Sequence, residues 1–198
     1  MIQGIVTIFI AGIFTDNFIL SRFLGVCPFL GVSKRVDTAV GMSAAVTLVM
    51  LLSTAITYPL YTRVLSPLEI GYLQTVVFIL VIASIVQLIE IVLKKYVPTL
   101  YNGLGVYLPL ITTNCAILGV TLLHFTHGYT YWEALLSALA AGIGFLVAMV
   151  MFAGVRSRIE GCDIPKSLQG LPITLLAAGI MSLSFMGFVG VAQGMFGG

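Results

Sequence analysis

Gly25-Val26-Cys27-Pro28-Phe29-Leu30-Gly31-Val32 is the stretch on which the reading of this chain turns, because a second stretch echoes it. Thr112-Thr113-Asn114-Cys115-Ala116-Ile117-Leu118-Gly119-Val120 repeats the pattern Cys-x-x-Leu-Gly-Val. Each cysteine lies in an otherwise apolar segment, with a helix-weakening glycine four residues on. Residues that disturb a helix stand beside both: Gly25 and Pro28 in the first, Thr112, Thr113 and Asn114 in the second.

The surroundings say which solvent these segments meet. Hydrophobic residues make up 60% of the 198 and charged residues 8%. A water-soluble domain carries about a quarter charged residues. This chain has too little polar surface to cover such a globule, so the expected class is an all-α integral membrane protein. Met1-Ile2-Gln3-Gly4 lacks a basic start, and no small-residue cleavage site follows, so the first apolar run is expected to be a retained span. A net charge of +2 without a basic cluster implies no nucleic acid.

Six spans follow from the uncharged stretches. Ile2 to Val32 would be roughly 46 Å long as one helix, against a hydrocarbon core of roughly 30 Å, so it must tilt, break or re-enter. Thr15-Asp16-Asn17 is the expected break, with a new helix starting at Asn17 and Asp16 as an interfacial cap. Thr38–Leu60 is the second span, ended by Pro59 and Arg63, and Ile70–Ile89 the third. The fourth opens at Asn102-Gly103-Leu104-Gly105 and runs to about His124. Ala134–Val155 and Leu171–Ala192 complete the set.

Basic residues orient these spans. Arg22, Lys34, Arg35, Lys94, Lys95, Arg156, Arg158 and Lys166 fall on one face, and Arg63 alone on the other. The first face is cytoplasmic, which puts both termini outside the cytoplasm. The cysteine echo divides the single membrane domain, 1–198, into repeats of about 1–97 and 98–198. Three spans per repeat make the halves inverted, with helices one and four broken. Inverted repeats of this kind carry their functional site near the midplane, where the halves meet.

A lone cysteine in an apolar helix is usually a packing residue. Two in symmetric positions at broken helix ends are candidate ligands, because exposed N–H groups and the positive end of the dipole favour a thiolate. Thiolates suit iron–sulfur clusters, which normally take four cysteines. Cys27 and Cys115 are two, so a partner must supply the rest. Zinc is the competing metal, without an evident task in mid-bilayer.

The other polar residues have plainer readings. Cys162 is a free thiol on a cytoplasmic loop. His124 and His127, flanked by Phe125, Tyr129, Tyr131 and Trp132, read as part of an aromatic belt. Glu90 and Lys94 form a snorkelling pair one helical turn apart. No nucleophile–histidine–acid set, phosphate loop or dinucleotide fingerprint is present. A non-redox transporter, with Asp16, Pro109 and Asn114 lining a polar ion path, is the alternative from another functional class.

Phe23-Leu24-Gly25-Val26-Cys27-Pro28-Phe29-Leu30-Gly31-Val32-Ser33-Lys34 and Leu108-Pro109-Leu110-Ile111-Thr112-Thr113-Asn114-Cys115-Ala116-Ile117-Leu118-Gly119 together resemble the family of the Rnf electron-transport complex A subunit. Tyr101-Asn102-Gly103-Leu104-Gly105, Asp163-Ile164-Pro165 and Ala178-Gly179-Ile180-Met181-Ser182-Leu183 agree with it, and the resemblance runs over nearly the whole chain. The E subunit of the sodium-pumping NADH:quinone reductase is similar too, and is the alternative within the redox class. The resemblance implies a membrane subunit of an ion-translocating ferredoxin:NAD oxidoreductase in the bacterial or archaeal cytoplasmic (inner) membrane. It implies subunits B, C, D, E and G as partners. It implies a [2Fe–2S] cluster shared with the homologous E subunit, for which Cys27 and Cys115 would be this chain's ligands. Electrons would cross the bilayer through that cluster, coupled to sodium or proton transport. NAD, ferredoxin and covalent flavins would belong to other subunits.

Overall fold

The computed structural model of the chain describes residues 9, 12–13, 17–33, 35–67, 73–96 and 108–196, with backbone alone at 93, 96, 108–109 and 188–196. Among the described residues the regular structure is entirely helical. A seven-residue helix α1 (Val26–Val32) precedes α2 (Val36–Leu60). Then come α3 (Gln74–Tyr96), the short α4 (Leu108–Thr112), α5 (Cys115–Thr126), α6 (Tyr131–Ile159) and α7 (Leu171–Phe196).

Three stretches are long and apolar enough to cross a membrane: Val36–Leu65, Gln74–Val92 and Tyr131–Ile159. Shorter apolar stretches lie in α4–α5 and in α7. Their outward faces are greasy: Leu80, Ile91, Leu171, Ile180 and Leu183 are all well exposed, as lipid-facing residues should be.

The centre of the molecule is the seam between α2 and α6. It is built from small side chains. Ala39, Ser43, Ala138, Ala141 and Ala148 are buried there, and Thr47 sits over Gly142. Small residues let two helices approach closely, which is what holds helices together where lipid removes the hydrophobic drive. Ser43 and Thr47 return their hydroxyls to Ala39 O (2.7 Å) and Ser43 O (2.7 Å), so these two leave no unpaired hydroxyl in the seam.

The observed elements extend past several sequence boundaries. α2 does not stop at Pro59 but continues as a π-helical stretch, Tyr61–Leu65. A wider turn can accommodate the carbonyl that proline leaves without a donor. α3 runs through Glu90, Lys94 and Lys95 to Tyr96, because long charged side chains are tolerated in the last turn. α6 starts at Tyr131, where Thr130 and Glu133 form a capping box, with Thr130 N–H donating to Glu133 Oε2 at 2.9 Å. The expected opening of the fourth span at 102–105 and the role of Asp16 lie outside the described residues.

Helix four is broken as expected: α4 ends at Thr112 and α5 begins at Cys115, with Asn114 extended between them. A helix start at Asn17 is not observed. Residues 17–25 form consecutive turns, and the helix begins at Val26. Asn17 is the reason. It is fully buried and uses both ends of its amide. Oδ1 accepts from Ile19 N (3.1 Å) and Leu20 N (3.4 Å), while Nδ2 donates to Gly144 O (2.8 Å) and Ile13 O (3.2 Å). It ties this turn to α6 and does not launch a helix.

Candidate functional site

The two cysteine motifs meet. The backbone N–H of Gly25 donates to Cys115 Sγ at 2.9 Å. Cys27 follows two residues later, so chain geometry alone keeps its Cα within roughly 12 Å of the Cys115 sulfur. Both cysteines are free thiols; Cys27 is exposed and Cys115 half-buried.

The fit around Gly25 is close. Its φ is +85°, in the left-handed region that glycine enters without penalty. A Cβ there would lie 3.0 Å from Phe145 Cε2, 3.1 Å from Ala116 Cβ and 3.3 Å from Asn114 Oδ1. The residue therefore has to be glycine for two reasons, conformation and space. Phe23, two residues earlier, also takes a left-handed φ of 55° while 59% exposed. The chain is thus coiled tightly just before it delivers Cys27.

The second arm is capped from within. Asn114 Oδ1 accepts from Ala116 N at 3.1 Å, and Asn114 O accepts from Ile117 N at 3.2 Å. That is a side-chain N-cap, and it makes Cys115 the first residue of α5. Asn114 Nδ2 is buried and has no acceptor. The glycines of the two motifs do not break their helices. Gly119 lies inside α5, where it makes room for Leu24 from the other arm, and Gly31 lies beside Leu110. Each motif thus packs on a leucine just upstream of the other.

Contacts along α6 locate the junction. Gly25 faces Phe145, the middle residue of that 29-residue helix. From there α1 follows the second half of α6: Phe29 stacks on Phe152 with centroids 4.1 Å apart, and Leu30 O accepts from Arg156 Nη1 at 2.9 Å. α5 departs towards the first half. Its Phe125 stacks on Tyr58, which packs edge-on against Tyr131. The two short helices start at one place and run to opposite ends of a helix about 43 Å long. The one N–H seen on sulfur at this junction is that of Gly25, on Cys115 Sγ.

The remaining polar candidates stay apart from this junction. Cys162 lies on the exposed loop after α6, where its thiol donates to Arg158 O at 3.5 Å. It borders a cavity of about 330 Å³ together with Arg156, Glu160 and Gln169. His124 is buried and His127 exposed. Among the described residues no three His, Cys, Asp or Glu side chains gather as a metal site. Of the expected aromatic belt, only Trp132 is fully outward, at 72% exposure. Phe125 belongs to an internal ring cluster with Tyr58, Tyr61 and Phe78.

Residues 5–192 match the model of a family described as Rnf-Nqr subunit, membrane protein. The chain belongs to the Rnf-Nqr family. Among curated proteins it is 55% identical over 190 residues to the A subunit of the Na(+)-translocating ferredoxin:NAD(+) oxidoreductase complex of Acetobacterium woodii, covering 96% of this chain and 99% of that one. It is 47% identical over 192 residues to the A subunit of the ion-translocating oxidoreductase complex of Syntrophotalea carbinolica, covering 97% and 100%. The corresponding protein of Psychromonas ingrahamii is 48% identical over 186 residues, covering 94% and 97%.

Three residues around this junction escape a reading of the sequence. Arg156 reads there only as a loop charge, Asn17 as a helix start, and Phe145 as nothing in particular. Arg156 carries one available signal: it lies within four residues of the apolar run of α6, closer than a free loop charge needs to be.

Proposed function

We propose that this chain is the A subunit of an Rnf-type ion-translocating ferredoxin:NAD oxidoreductase. In this reading Cys27 and Cys115 supply half the ligands of a [2Fe–2S] cluster, and the homologous E subunit supplies the other half. The observation that carries it is the Gly25 N–H on Cys115 Sγ, which joins two motifs 90 residues apart. The donor set suits such a group. Cluster sulfurs are anionic and are tuned by N–H donors, and the junction holds the Gly25 N–H and the Nδ2 of Asn114, which has no acceptor among the described residues. Exposure of Cys27 leaves it open to a partner chain.

When bound, the cluster supplies one-electron transfer. The chain's own residues do the rest: Cys27 and Cys115 hold it, Gly25 and Asn114 set the hydrogen bonding and charge around it, and the apolar helices exclude water. A position beside the middle of α6 suits a relay between the two faces of the bilayer. Transfer would be coupled to sodium or proton transport in a complex with subunits B, C, D, E and G, in the cytoplasmic (inner) membrane.

The same reading includes two inverted repeats, about 1–97 and 98–198, with six spans and both termini outside the cytoplasm. Divergence of α1 and α5 from one point supports it, as does the central seam between α2 and α6, the second span of each half.

The deciding experiment is an iron and acid-labile sulfide assay on the chain purified with its homologue and on the chain alone. The expected result is a cluster in the pair and none in the single chain. An iron-free pair that still moves ions would support the second reading, a non-redox transporter subunit. What favours that one is a set of buried atoms without hydrogen-bond partners on α2 and α5: Ser53 Oγ, Thr54 Oγ1 and His124 Nε2.

A further inference from the structure

The helix that carries Cys27 cannot hold itself in place. α1 has seven residues, well short of the roughly 12 that an isolated helix needs. Its start has no side-chain cap. Its last carbonyls need outside donors, and a cation at that end complements the helix dipole.

Arg156 meets both needs. Its Nη1 donates to Leu30 O at 2.9 Å and to Ser33 Oγ at 3.1 Å. Ser33, the residue that closes α1, is completely buried. The Arg156 side chain is 14% exposed, against 61% for Glu160, whose carboxylate lies 3.9 Å from Nε. A surface pair of that length adds little. One turn earlier on α6, Phe152 stacks on Phe29. An arginine serving only as a cytoplasmic-face charge would point to water, as the exposed Arg158 does. Arg156 instead turns inward onto the far end of the cysteine helix.

We propose that Arg156 is a positioning residue that fixes Cys27 relative to Cys115. α1 is pinned at one end by Gly25 on Cys115 and at the other by Arg156 on Leu30 and Ser33, so the end of α6 and the cysteine junction are mechanically joined. The consequence for a cluster rests on the reading above; the clamp itself does not.

The test uses the chain co-purified with its homologue, as Arg156→Ala, Arg156→Lys, Ser33→Ala and Arg158→Ala. After iron removal, the rate at which a maleimide labels Cys115 reports how firmly α1 covers it. It is expected to rise about fivefold in Arg156→Ala and about twofold in Ser33→Ala, changes of the size one or part of one hydrogen bond gives. Arg156→Lys should fall between wild type and Arg156→Ala, and Arg158→Ala should match wild type. In the iron-loaded pair, Arg156→Ala should change the electron paramagnetic resonance spectrum and midpoint potential while Arg158→Ala does not. Unchanged Cys115 labelling in a folded Arg156→Ala overturns the proposal, and so does equal labelling in Arg158→Ala. Should Arg156→Ala fail to accumulate, Ser33→Ala and Arg156→Lys decide by the same rate: a rise in both supports the clamp, and wild-type rates in both overturn it. A wild-type pair without iron defeats the cluster reading and leaves the labelling result to judge the clamp.

Discussion

The two cysteine arms share a sequence pattern and differ in construction. Cys115 opens a 12-residue helix, is capped by Asn114 and is half-covered by Gly25. Cys27 sits in a seven-residue helix without a side-chain cap and stands exposed. One arm is organised from inside the chain. The other is held at its ends by Cys115 and Arg156 and presents its thiol outward. In the proposed reading, this asymmetry suits a site completed by a second protein chain, with one ligand held and the other reachable.

The largest expected effect tests whether the asymmetry matters to function. Cys27→Ser and Cys115→Ser should each reduce cluster iron in the purified pair to background, because a hydroxyl of much higher pKa is a far poorer iron ligand than a thiolate. The arms should differ only before assembly. In the iron-free chain, maleimide should label Cys27 faster than Cys115. Equal labelling would erase the structural distinction, and normal iron in either serine variant would remove the functional one.

Next in size is Gly25→Ala. It places a Cβ within 3.0 Å of Phe145 and holds alanine at φ +85°. The conformational term alone costs about 1–2 kcal/mol, and the overlap adds to it. Thermal unfolding in detergent should show the loss, and Cys115 should label faster because its cover is displaced. Asn114 gives a smaller and more selective effect. Asn114→Ala removes the cap of α5 and should cost about 1 kcal/mol. Asn114→Asp keeps an acceptor for Ala116 N–H but buries a carboxylate, so it should also lower stability in the iron-free chain. With the cluster bound, the added negative charge should lower its midpoint potential. An unchanged potential would place Asn114 outside the electrostatic reach of the cluster.

Much of this is legible in the sequence, for identifiable reasons. Span-length apolar runs and their bounding charges locate α2, α6 and α7 to within a few residues, while α3 runs well past its expected end at Ile89 to Tyr96. The break before Cys115 is readable from Thr113 and Asn114, since a capping residue in an apolar run marks a helix start. The point where the helix resumes before Cys27 is misplaced by the same logic, because Asn17 carries the same signal while also tying across space to Gly144. Local pattern cannot distinguish a cap from a tertiary tie. Arg156 is hidden for a similar reason: sequence counts a charge and does not show where a long side chain folds back. The meeting of Gly25 with Cys115 spans 90 residues, and only the repeat hints at it.

The smallest expected effect lies at the far end of α5 and shows how local the junction is. Tyr58 Oη donates to Tyr129 O at 3.0 Å, and its ring stacks on Phe125. Tyr58→Phe keeps the ring contacts and removes the hydrogen bond, which within a membrane protein is worth about 0.6 kcal/mol. Unfolding in detergent should shift slightly. Cys115 labelling and the midpoint potential should not move, because α5 is anchored at its start by Asn114 and Gly25 and not by its outer end. A shift in Cys115 labelling would mean that α5 transmits displacement along its whole length. The contrast between an internally fixed arm and an end-clamped one would then have to be given up, since both arms would depend on distant contacts.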